Sequence, residues 1–125
     1  MLKRMTLHLA RCHEHPDGSV DYGYEIVAPI DADGRIDVNA WQNARDRCRV
    51  RRFWAGAPDR LGRLVHRAGG PDGATWLIDY DAARTDDDEA TYRLDVHRLA
   101  EGEYLTIVDE DGVARTFRVA RVTAA

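Results

Sequence analysis

Apolar and polar residues alternate along much of this chain with a period of two, the spacing of a strand with one face turned to a core. Residues 5–13 place Leu7 and Leu9 against Thr6 and His8 and predict a first strand; Pro16, Asp17 and Gly18 then supply a turn. Residues 22–28 predict a second strand, with Tyr24 and Ile26 on one face and Glu25 and Val27 on the other. Pro29 and the DADG segment at 31–34 end it.

One helix interrupts the alternation. Asp37 is an N-cap residue, and from Val38 to Cys48 the positions Val38, Trp41, Ala44 or Arg45, and Cys48 fall near one stripe. The β pattern then resumes at 50–54, 61–67 and 74–80, with Trp76, Ile78 and Tyr80 on one face, and again at 92–97, where Tyr92, Leu94 and Val96 face inward. The clearest element is the last hairpin, 104–108 and 113–122, because Asp-Gly inside the DEDG turn at 109–112 sits between two apolar runs. Roughly seven short strands at hairpin spacing with a single helix predict a mainly β (α+β) fold. The expected form is a small antiparallel β-barrel or curved sheet with the helix packed on it, spanning 1–125 as a single domain. The predicted core is Leu7, Leu9, Ile26, Trp41, Ile78, Leu94, Val96, Ile107, Phe117 and Val119.

Composition narrows the class without naming a function. The 125 residues are 44% hydrophobic and 32% charged, which fits a globular chain that needs neither disulfides nor metal to build a core. The net charge of −4 repels polyanions overall. Of the 18 basic residues only Lys3 is a lysine; arginine is the better fork for phosphate and carboxylate, although GC-rich codon usage gives the same bias. The two cysteines are too few for a disulfide framework, the run after Lys3 and Arg4 is too short for a secretory leader, and no stretch reaches the length of a membrane span. The expected location is the cytoplasm.

Two clusters carry candidate chemistry. His8, Cys12, His13 and His15 combine thiol and imidazole donors of the kind zinc takes, but neighbours in a strand point to opposite faces, and no recognised Cys/His spacing is present. The segment from Arg45 to Trp54 (RDRCRVRRFW) is arginine-rich and ends in two aromatics, the composition of surfaces that bind single-stranded RNA or a nucleotide. Its binding candidates are Arg47, Arg49, Arg51, Arg52 and Trp54. As a strand it sets Arg49, Arg51 and Phe53 on one face and Val50, Arg52 and Trp54 on the other, and the competing expectation is charge pairing with Asp79, Asp81 or the acidic run at 86–89. That acidic run itself reads as a solvated loop. The DADG and DEDG turns lack the twelfth-position carboxylate of a calcium loop, where Gln42 and Ala120 stand.

Catalytic signatures are sparse. Ser19 is the single serine, and no phosphate-binding glycine loop or other cofactor motif is present, so no cofactor is expected. An acid–base pair from His66 or His97 with Asp79, Asp81 or Asp95 would have to assemble in space. The segments YGYEIVAPID, CRVRRFWAG, GRLVHR and GEYLTIVDEDG with TFRV resemble a family of small bacterial proteins without an assigned activity; the resemblance implies a bacterial cytoplasmic origin and no site residues. The leading expectation is a non-catalytic binding module with a protein partner, as a monomer or homodimer. The alternatives are single-stranded RNA or nucleotide binding and a metal-dependent enzyme built on the histidines.

Overall fold

The computed structural model describes residues 2–66, 76–80, 88–91, 94 and 98–125. In chain order the elements are β1 (Leu2–Leu9), β2 (Ser19–Pro29), α1 (Val38–Asn43), a 3-10 turn (Arg45–Arg47), β3 (Arg49–Trp54), β4 (Ala57–His66), β5 (Trp76–Asp79), β6 (Glu89–Thr91), β7 (Tyr104–Val108) and β8 (Ala114–Ala124). Each strand pairs antiparallel with its neighbour in sequence, and β8 returns to pair with β1, so the curled sheet runs in a closed circuit. The circuit is thinnest at β6, which is three residues long and pairs through two positions on each side. The architecture is mostly β with one short helix, as the alternation predicts.

Eight strands close at the diameter that side chains just fill. The alternation puts Met5, Leu7 and Leu9 from β1, Tyr24 and Ile26 from β2, Leu64 from β4, Trp76 and Ile78 from β5, and Phe117 and Val119 from β8 into one core. Of the predicted core residues, Leu7, Leu9, Ile26, Trp41, Ile78, Leu94, Ile107, Phe117 and Val119 are buried. Val96 lies outside the described residues. Up-and-down order sorts the connections between the two ends of the sheet. The β1–β2, β3–β4 and β7–β8 connections share the hairpin end, whereas α1 lies at the opposite, helix end. There Trp41 is buried, donates its indole N–H to the Leu64 carbonyl at 3.0 Å, and meets Trp76 edge-on at 5.5 Å.

Several boundaries differ from the sequence pattern, each for a local reason. Strand β1 stops at Leu9, four residues short of His13, because Cys12 and His15 exchange backbone hydrogen bonds and turn the chain. Asp37 caps α1 through the Ala40 N–H as expected, but the helix ends at Asn43 and a 3-10 turn follows. That tighter turn delivers Cys48 to the core while Arg45, Asp46 and Arg47 stay exposed. Strand β4 begins at Ala57, earlier than predicted, because Ala55 and Gly56 make a two-residue turn in which Gly56 adopts φ 81°. Glu89, assigned by composition to the solvated acidic run, is a strand residue with no exposed surface. The expected strand at 92–97 lies outside the described residues except for Leu94, which is buried in a turn.

Candidate functional site

Strand β3 divides the arginine-rich segment between two environments. Arg52 and Trp54 point into the barrel at its hairpin end, and Arg49 and Arg51 point outward. Inside, Glu89 is fully buried and its Oε1 accepts hydrogen bonds from the Tyr24 hydroxyl at 3.0 Å and from the Tyr80 hydroxyl. Its Oε2 has no hydrogen-bond partner and lies 3.6 Å from Arg52 Nε. Burial pushes the Glu89 carboxyl above its ordinary value, against the opposing pull of Tyr80, Arg52 and Tyr24. Burial, and then the Glu89 charge, raises the Tyr24 and Tyr80 phenols, so both remain donors.

Around this carboxylate, among the described residues, stand three inward guanidinium groups of the hairpin end, each lying against an aromatic ring. Arg52 sits 3.9 Å over Trp54, Arg115 sits 5.2 Å from the same ring, and Arg60 sits 4.0 Å over Tyr80. Arg52 and Arg60 are direct cross-strand neighbours. Arg115 pairs with Asp109 at 2.7 Å, and Arg60 approaches Glu110 at 3.7 Å. Burial raises the Asp109 carboxyl, but the Val113 N–H, Arg115 and the Asp111 N–H outweigh it and hold the group below its ordinary value. An aromatic line runs from the rim inward, His15 on Tyr22 at 4.9 Å and Tyr22 on Trp54 at 4.9 Å. The Arg52–Glu89 pair is the expected charge pairing with the run at 86–89, but sequence reasoning missed the burial of Glu89 and the part played by Arg60 and Arg115, because nothing local distinguishes an inward charge from a solvated one.

The outer face of β3 and β4 is a second environment. Arg51 pairs with Glu25 at 3.1 Å and Asp59 at 2.8 Å, and Arg63 with Asp46 at 3.4 Å. The Arg51 hydrogen bond holds the Glu25 carboxyl below its ordinary value. Arg4 and Arg49 have no ion pair among the described residues, and Arg49 lies directly opposite Arg63. Leu61, directly opposite Arg51, is 70% exposed between depressions of about 140 and 480 Å³. Arg4, Arg49, Arg51 and Arg63 contribute to their walls. Phe53 lies beside this region, its ring over Gly23, where a Cβ would come within 1.9 Å of the Leu7 carbonyl oxygen.

The remaining sequence candidates fall elsewhere. Arg47 is exposed on the 3-10 turn. His8 faces outward, edge-on to Phe53 at 6.2 Å, and with Arg11, Tyr104 and Arg118 lines a cleft of about 740 Å³. Cys12 and His13 are exposed in the β1–β2 loop, and His15 is taken up by Tyr22. Among the described residues, no three His, Cys, Asp or Glu side chains converge in a way that would hold a metal. The DADG and DEDG segments are self-satisfied turns, in which Asp31 and Asp109 accept backbone N–H groups. His66 packs against Trp76 at the helix end, Asp79 lies on β5 opposite Arg63, and Asp81, Asp95 and His97 lie outside the described residues. Among the described residues, no helix is long and apolar enough to cross a membrane. No family model, curated protein or solved structure matches the chain.

Proposed function

We propose that the protein is a non-catalytic binding module that docks a protein partner on the outer face of β3 and β4. The observation that carries this reading is Leu61, a large apolar side chain 70% exposed beside a depression that Arg4, Arg49, Arg51 and Glu25 help to line. An apolar anchor within a charged rim is the usual anatomy of a binding patch. Like charges directly opposite each other on a sheet are destabilising, so the Arg49–Arg63 pair favours a partner that brings carboxylates. The complementary surface is an apolar socket flanked by Asp or Glu, met by the guanidinium groups of Arg4 and Arg49.

Within this reading α1 is the cap of the helix end, supported by the burial of Trp41 and its bond to Leu64. The setting is the reducing cytoplasm of a bacterium, in keeping with the free thiols of Cys12 and Cys48. Fluorescence anisotropy tests the proposal, with a labelled peptide carrying Leu flanked by Glu and Asp and a labelled single-stranded RNA as the competing occupant. Peptide binding that weakens at least tenfold in Leu61→Ser and in Arg49→Ala supports the reading. Binding of RNA alone, or peptide binding indifferent to both substitutions, overturns it.

A further inference from the structure

From the hairpin end of the barrel we infer a separate site, distinct from the Leu61 patch, for the phosphate or carboxylate group of a small molecule, bound by Arg52, Arg60 and Arg115. Three inward arginines at one end of a barrel are an expensive way to fill space, since each must leave part of its hydration behind. Their partners do not exhaust them. A guanidinium carries five N–H donors. Arg52 spends its Nε–H on the Tyr24 hydroxyl at 3.4 Å, Arg115 spends one terminal group on Asp109, and Arg60 has no hydrogen bond among the described residues. The rings of Trp54 and Tyr80 lie against all three groups, and among the described residues their remaining guanidinium N–H groups have no hydrogen-bond partner, the arrangement that suits a planar or tetrahedral oxyanion.

The carboxylates at this end do not compete equally. Glu89 lies below Arg52, where it is held by the two tyrosines. Asp109 gives one oxygen to the amides of its own turn and the other to Arg115. Glu110 stays 3.7 Å from Arg60, beyond hydrogen-bond reach. Among the carboxylates of the described residues, an arriving oxyanion would therefore displace only Glu110. The rim supplies rings for the rest of the ligand through Tyr22 and His15.

Titration of the intact protein at constant ionic strength tests this, read by tryptophan fluorescence and calorimetry, with inorganic phosphate, phenyl phosphate, benzoate and chloride as separate arms. Saturable binding of an oxyanion but not chloride, weakened at least tenfold by Arg60→Ala and by Arg115→Ala and unchanged by Arg47→Ala on the exposed 3-10 turn, supports the site. Phosphate alone saturating identifies a phosphate site, benzoate alone a carboxylate site, and a gain for phenyl phosphate over phosphate places the ring on the rim. Arg60→Lys, which keeps the charge and loses the fork, separates a folding defect from a binding one: an unchanged melting temperature with reduced affinity is expected. No saturable response in any oxyanion arm, or an equal loss of affinity in Arg47→Ala, overturns the inference, and neither result bears on the Leu61 patch.

Discussion

Replacing Glu89 by Ala removes the one group on which Tyr24, Tyr80 and Arg52 converge. Two buried hydroxyls lose their acceptor, at about 1–3 kcal/mol for each donor left unsatisfied. Arg52, only 14% exposed, loses its counter-ion; breaking a buried pair from one side costs about 3–5 kcal/mol. Both losses come from one carboxylate and overlap, so the expected total is about 3–5 kcal/mol rather than their sum. Glu89→Gln keeps the volume and one acceptor but not the charge, and should cost about 1–3 kcal/mol. Urea denaturation at pH 7, followed by tryptophan fluorescence, measures both; with a slope near about 2 kcal/mol/M, Glu89→Ala moves the midpoint down by about 2 M. The cycle completed by Arg52→Ala and the double variant should show coupling of at least about 1 kcal/mol. If Glu89→Ala lies within about 1 kcal/mol of the parent at unchanged slope, the carboxylate does not organise the hairpin end and the reasoning fails.

The pH dependence follows from the same group. Glu89 has its folded value raised above the ordinary 4.5, so its contribution is fully present below that pH and is lost as pH rises through the folded value. The stability difference between the parent and Glu89→Gln should therefore shrink with rising pH in melts taken from pH 4 upward; a difference that grows would reverse the sign. Glu25 behaves oppositely, and Glu25→Gln should lose its effect as pH falls below the ordinary 4.5. Gly23→Ala forces a Cβ to 1.9 Å from the Leu7 carbonyl and 2.8 Å from the Phe53 ring, and should cost more than about 2 kcal/mol in the same denaturation assay. A thiol reagent should label exposed Cys12 quickly and Cys48 only on unfolding, since Cys48 is buried and burial raises its thiol; equal rates would contradict the fold around α1.

The sequence by itself determined the class of fold and most of the core. Period-two alternation is a local property, so β2, β3 and the final hairpin were legible, as was the N-cap of α1 at Asp37. The same alternation separates Arg49 and Arg51 from Arg52 and Trp54. It did not reveal which face was the inside for a charged residue. Arg52, Arg60, Glu89 and Arg115 come from four strands, and only closure of the circuit brings them to one end of the barrel. Glu89 shows the limit plainly: beside Asp86, Asp87 and Asp88 it reads as one more solvated acid. Its burial is decided by Tyr24, on β2, and Tyr80, just past β5, whose hydroxyls replace the water it gives up. The exposure of Leu61 was equally a tertiary result, since an apolar residue in an alternating strand faces the core or the solvent according to register, and register is set by the partner strands.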